Sequence, residues 1–235
     1  MKVTLLMPVL NERESMEVIM PQIDRSWVHQ ILIADGGSTD GTIEYCKEHG
    51  YEHFVQKKPG IRQAYNEALP LITGDAIITF SPDGNCIPKD IPPLIKKFEE
   101  GGYDMVIASR YFDGAKSEDD DFITTFGNWI FTTTCNMLFG YKYTDCMVIY
   151  RIYWKKMIYD LELDKDKWYS TFEKLYCTRL SWEPMLSARA AKRKYKIGEI
   201  LGYEPARIAG VRKLQIIRWG LGYYSQFIRD WLFWK

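Results

Sequence analysis

Short apolar runs rich in β-formers recur along the first hundred residues, and polar or helix-forming segments separate them. "KVTLLMPVL" opens the chain and is closed by "NERES", which reads as a loop and a helix start. "ILIAD" (31–35) ends in "GGSTDGT", a break that also supplies an N-cap for a helix over "TIEYCKEHG". A helix around "SMEVIMPQID", interrupted by Pro21, lies between these two strands. "HFVQKK" then reads as a short third strand, "IRQAYNEALPLI" as a helix and "AIITF" as a fourth strand. This rhythm predicts an α/β fold with a mainly parallel twisted sheet flanked by helices and right-handed crossovers. In open sheets of that kind ligands gather outside the carboxyl ends of the strands. Asn11, Asp35 and Asp83 all fall at such ends.

The later sequence continues in the same style. "IPPLIKKFEEGG" is a helix that starts on proline and stops at glycine. "DMVIASRY" is the next strand, and "EDDD" (118–121) belongs to a solvated acidic loop. "FITTFGNWIFTTTCNMLFGY" suits a partly buried helix and "WEPMLSARAAKRKY" a helix with a basic end. "KIGEILGYEP" reads as an edge strand closed by proline.

Composition bounds the setting. Net charge is zero, yet residues 186–235 hold eleven Lys or Arg against three acids. That +8 must be balanced by −8 elsewhere, so the C-terminal part is expected to meet something anionic. The five cysteines are scattered, odd in number and without a CxxC pair, which argues against a disulfide framework and a zinc site and fits a reducing, cytoplasmic setting. No apolar stretch reaches the length of a transmembrane helix. No GxxxxGK[ST] loop is present, and no nucleic-acid partner is expected. In 215–235, Leu221, Tyr224, Ile228, Trp231 and Leu232 recur near helical spacing beside Arg218 and Arg229, although Gly220 and Gly222 weaken a continuous helix. Such an amphipathic basic segment suits a membrane interface or packing on the domain.

Two stretches carry candidate chemistry. In "DGGSTDGT" a carboxylate at a strand end, Asp35, precedes two glycines that let the backbone approach a ligand. In "SPDGNCIP", Asp83 stands two residues before Asn85. Seven segments in order resemble the family-2 glycosyltransferases of GT-A (Rossmann-like) fold, the group that includes the polyprenyl-phosphate and dolichol-phosphate mannose synthases. "MPVLNERES" looks like their P-x-x-N-E entry and "ADGGSTDGT" like DDGSxDGT, with Gly36 in place of an aspartate. "KKPGIRQAYNEAL" resembles the segment in which a glycine and a basic residue lead a helix. "TGDAIITFSPDGN" resembles GDxIxxxDxD, "MVIASRY" resembles xxIGSRY, and "TDCMVIYR" resembles DxxxGFR with Ile149 in place of glycine. "GEILGYEPARIAGVRKL" is similar to xEVPxxxxxRxxGxSKL.

The resemblance covers about residues 1–214 as a glycosyltransferase domain, leaving 215–235 as an amphipathic segment open to a membrane interface. It implies an inverting hexosyltransferase that uses a nucleotide-sugar donor of the GDP-mannose or UDP-glucose type. Pro8, Asn11, Glu12, Asp35, Gly37, Gly60, Arg62 and Asp83 would bind that donor. Asp83 and Asn85 would hold Mg²⁺ or Mn²⁺, a hard cation that accepts carboxylate and amide oxygens alike. Arg110 would meet the phosphates, and Arg207 with Lys213 an acceptor. A polyprenyl phosphate is already an anionic nucleophile, so it needs cations around it more than a base. A hydroxyl on a glycan or lipid-linked oligosaccharide needs a base, for which Asp145 and Glu183 are candidates; each is equally open to a structural role, Asp145 by fixing Arg151. The implied setting is the cytoplasmic face of a membrane, with peripheral contact. A non-catalytic nucleotide-sugar-binding protein is the contrasting reading, allowed by Asn85 and Ile149.

Overall fold

A computed structural model describes residues 1–209 and 216–235. Seven strands form one sheet: β1 (Val3–Val9), β2 (Gln30–Asp35), β3 (Glu52–Val55), β4 (Ala76–Thr79), β5 (Met105–Ser109), β6 (Arg151–Trp154) and β7 (Ile197–Leu201). Their spatial order is β3, β2, β1, β4, β6, β5, β7. Every pairing is parallel except those of β6, which lies antiparallel between β4 and β5. The sequence reading assigns no strand over 151–154. A short buried strand of four residues that begins with arginine carries no alternation to betray it.

The flanking helices are α1 (Arg13–Ile19), α2 (Thr42–Glu48), α3 (Ile61–Ala68), α4 (Ile91–Glu100), α5 (Phe122–Phe139), α6 (Lys156–Asp160), α7 (Ser170–Leu175), α8 (Glu183–Lys192) and α9 (Ile216–Phe233). Strands β1, β4 and β5 are almost wholly buried, as expected of a sheet covered on both faces. Strands β2 and β4 flank β1 on opposite sides, so chain direction across the sheet reverses there and opens a crevice at the carboxyl ends. β7 is an edge strand, as its sequence suggests.

Ile216–Phe233 of the C-terminal segment form one unbroken helix, contrary to the expectation from the glycines. Gly222 lies where a Cβ would come within 2.8 Å of Leu180 Cδ2, so the missing side chain lets α9 approach the 177–182 loop closely. Tyr223, Gln226, Phe227 and Asp230 are buried, and Asp230 pairs with buried Arg189 of α8 at 2.6 Å. The inner face of α9 is therefore part of the core. Its outer face leaves Ile217, Leu221, Ile228, Trp231 and Leu232 exposed. Among the described residues no helix is long and apolar enough to cross a membrane.

Candidate active site

The ends of β1 and β2 build one half of the crevice. Pro8 sits in β1 opposite Ala34. Asn11 follows with φ of 54°, a left-handed conformation that asparagine tolerates, and its Oδ1 accepts the Thr39 N–H at 2.8 Å. The Glu12 N–H donates to Thr42 Oγ1, and its carboxylate accepts from Ser15. Asp35 is buried at the end of β2. Its Oδ2 accepts the N–H groups of Gly37 and Ser38 at 2.8 and 2.9 Å, which fixes the carboxylate. Its Oδ1 is buried with no partner among the described residues. Buried polar atoms are rarely left so, and a spare acceptor at a strand end suits an N–H or O–H of a nucleoside.

The second half is a dense ion network behind β4 and β5. Asp83 accepts the Asn85 N–H at 3.1 Å through Oδ1 and pairs with Arg207 at 2.9 Å through Oδ2. Arg207 also lies 3.7 Å from Asp119. Gly84 has φ of 103°, and a Cβ there would come within 2.7 Å of Ile208, whose N–H donates to the Asp83 carbonyl. The segment around Arg207 is thereby laid directly over the Asp83 turn. Asn85 donates through Nδ2 to Glu204 at 3.3 Å, while its Oδ1 is buried and has no partner among the described residues.

Arg110 follows β5 and is surrounded by carboxylates. It meets Asp145 at 2.6 Å and both Asp120 and Glu204 at 3.4 Å. Burial alone would lower its pKa, but Asp145, Glu204 and Asp120 together raise it well above the usual value. Burial likewise pushes the Asp145 pKa up, and Arg110 with the Met147 N–H overcomes this and holds it below the usual carboxylate range. Asp145 fixes Arg110, not Arg151, whose guanidinium instead donates to backbone carbonyls and to Ser187. With both oxygens engaged, this carboxylate suits a holder of Arg110 better than a proton acceptor. The "EDDD" loop is not simply solvated: Asp119 and Asp120 are turned onto Arg207 and Arg110.

Beside Arg110 lies a cavity of about 300 Å³ between α5, α9 and the start of α8. Ile61, Ile123, Phe131, Met147, Trp219 and Tyr223 make its walls apolar, and Arg110, Arg179, Asp120 and Glu183 contribute charge. Glu183 is buried and accepts from Tyr65 Oη at 2.6 Å. Ile149, where the related motif has glycine, is in the same wall.

Other sequence candidates lie elsewhere. Arg62 is buried against Asp166 and Glu173 and stacks over Tyr169 at 4.2 Å, a setting in which its charge is already satisfied. Gly60 abuts Arg179. Lys213 lies outside the described residues. Sequence reasoning missed Glu204 and Arg179. Neither belongs to a spacing pattern, and only the fold brings them to Asn85 and to the cavity.

Asp83 and Asn85 fit a hard divalent cation in one respect: an unpartnered buried amide oxygen stands beside a carboxylate. Among the described residues no three His, Cys, Asp or Glu form a metal-binding group. Mg²⁺ commonly takes one or two protein oxygens, its shell being completed by substrate phosphates and water, so this two-residue corner suits it.

Comparison with known proteins bears on the family and the fold. The chain is 29% identical over 168 residues to the glycosyltransferase AglJ of Haloferax volcanii, covering 70% of this chain and 54% of that one. It is 31% identical over 127 residues to a dolichol-phosphate mannosyltransferase of Pyrococcus furiosus, covering 51% of this chain and 36% of the relative. The chain thus spans about half or less of the length of these two relatives. In fold it resembles glucosyl-3-phosphoglycerate synthase from Mycobacterium tuberculosis, solved with Mn²⁺, uridine diphosphate and phosphoglyceric acid. The TM-score is 0.66 at 16% identity, over 98% of this chain and 78% of that one. A family model described as glycosyl transferase family 2 matches residues 4–162, and with the strand-end acids and the sheet order in place, the chain belongs to that family.

Proposed function

We propose that this protein transfers a hexose, with inversion, from a nucleoside-diphosphate sugar to a polyprenyl phosphate at the cytoplasmic surface of a membrane. The observation that carries this reading is the apolar cavity that shares Arg110 and Asp120 with the Asp83 network. A soluble sugar acceptor would need a polar cleft, whereas an isoprenoid chain needs apolar walls ending beside cations. The likeness to a dolichol-phosphate mannosyltransferase supports the acceptor class. The fold shared with a synthase that binds uridine diphosphate and Mn²⁺ supports the donor and the metal.

Asn11, Glu12 and Asp35 hold the nucleoside in this reading, the Asp35 Oδ1 taking the hydrogen bond it lacks. Pro8 and Gly37 shape that pocket, whereas Gly60 and Arg62 lie away from it. Asp83 and Asn85 hold Mg²⁺ or Mn²⁺, which when bound neutralises charge building on the leaving diphosphate. Arg207 adds positive charge at the same corner, Arg110, faced by three carboxylates, braces the network behind it, and Lys213 is assigned to the acceptor. An acceptor phosphate oxygen forms the new bond to the anomeric carbon as the carbon–oxygen bond to the diphosphate breaks, the electron pair leaving with the diphosphate. No base is required.

The outer faces of α5 and α9, the two helices that also wall the cavity, carry Phe122, Phe126, Trp129, Leu221, Ile228 and Trp231, all exposed. An apolar face next to a lipid-sized cavity suits contact with a bilayer, which also delivers the acceptor. Glu183 in the cavity wall favours a second reading, transfer to a glycan hydroxyl with Glu183 as base.

The test is transfer of labelled mannose or glucose from GDP-mannose or UDP-glucose to undecaprenyl or dolichyl phosphate. Asp83→Ala and Arg207→Ala are each expected to cut the rate at least about 100-fold. Full activity in both would refute these roles. Glu183-dependent transfer to soluble sugars would favour the second reading, and nucleotide binding without release of any sugar would mark a pure binder.

A further inference from the structure

The cavity has two arginines in its wall, and they are not equivalent. Arg110 faces three carboxylates, Asp145, Asp120 and Glu204, so little of its charge is left for a ligand. Arg179 is exposed and forms no ion pair among the described residues.

Its place is built by both neighbouring segments. The Leu180 N–H donates to Glu173 Oε1 at 3.0 Å and the Ser181 N–H to Tyr223 Oη at 3.0 Å, tying the backbone after Arg179 to α7 and α9. The alkyl stem lies against Gly60, where a Cβ would come within 2.9 Å of Arg179 Cδ. Gly60 has φ of 110°, so this position favours glycine on backbone grounds as well. The result is a held stem with a guanidinium at the rim of an apolar cavity. Guanidinium is the side-chain group best matched to a phosphate, since its fork donates two parallel hydrogen bonds.

We propose that Arg179 anchors the phosphate head of the acceptor while the apolar walls take its first isoprene units. This rests on the polyprenyl-phosphate reading above and adds the residue that distinguishes a prenyl phosphate from a neutral prenol. Arg179 is a positioning residue: it sets where the nucleophilic oxygen sits.

Calorimetric titration of the full chain with geranyl phosphate and with geraniol tests this. The wild type is expected to bind the phosphate roughly 10- to 100-fold more tightly than the alcohol, the range of one charge-assisted contact. Arg179→Gln should bring the phosphate down to the affinity of the alcohol, and Arg179→Lys should recover part of the preference. A phosphate preference that survives Arg179→Gln overturns the role of Arg179 and leaves the acceptor reading standing. Equal binding of both ligands by the wild type overturns it too. If the wild type binds neither ligand, the acceptor reading and this one fall together.

Discussion

At the scale of single residues, two orphaned oxygens mark the crevice, Asp35 Oδ1 and Asn85 Oδ1. Each is held by a hydrogen bond made elsewhere in its own side chain or backbone, so its orientation is fixed before any ligand arrives. Asn85→Asp adds a negative charge beside Asp83 and should tighten Mn²⁺ binding by about tenfold, since ligand charge tunes the affinity of hard cations. A Mn²⁺ titration read by electron paramagnetic resonance checks this; indifference at position 85 would leave the amide a turn-shaping role only. Asp145 presents the opposite case, a carboxylate with its partners complete. Its pKa in the folded state lies below the ordinary value, so the stability it contributes is present above about pH 4 and lost as the pH falls. Asp145→Asn should therefore cost about 3 kcal/mol at neutral pH. Urea unfolding across pH should show that difference shrinking in acid; a constant difference would mean that packing dominates. The strand-end acids were legible because local sequence puts them there, whereas Glu204 is 119 residues from its partner Asn85 and left no trace in spacing.

At the scale of elements, the parallel strands and their helices follow from apolar runs and caps, and the two surprises follow from packing. β6 places Arg151 in the middle of a buried sheet, and the carbonyls of Cys146, Val148 and Glu183 with Ser187 Oγ make that tolerable. α9 remains helical through two glycines because burial of its inner face outweighs their poor propensity, each about 1 kcal/mol below alanine. The two glycines should differ sharply. Gly222→Val drives its side chain into Leu180 and should cost about 1–3 kcal/mol. Gly220→Ala meets nothing nearer than Phe131 at 3.9 Å and should gain about 0.5–1 kcal/mol. Denaturation midpoints decide the matter, and equal effects at both sites would remove the close-approach explanation for Gly222.

At the scale of the whole molecule, charge and apolar surface are segregated. The C-terminal fifty residues carry the excess positive charge, and α5 contributes a row of stacked exposed rings, Phe122, Phe126 and Trp129, beside α9. The sequence reading placed a membrane-facing surface on the C-terminal segment alone; the fold sets α5 next to it and puts the cavity between them. Because these rings are exposed, Phe126→Ser with Trp129→Ser should leave the fold intact and reduce retention on anionic vesicles by roughly tenfold or more. Co-sedimentation at low and moderate salt reads the effect. Retention equal to that of the wild type would mean that this face is covered by something other than lipid.

The sequence by itself determined the α/β class, the mainly parallel sheet and the acids at the strand ends, because periodicity, capping and turn chemistry act over a few residues. Tertiary structure alone decided that Arg207 closes on Asp83, that three carboxylates neutralise Arg110, and that α5, α8 and α9 enclose an apolar cavity with Arg179 at its rim. Those arrangements join residues from ten to more than a hundred positions apart, and a contact made only by folding imposes no pattern on the chain between its ends.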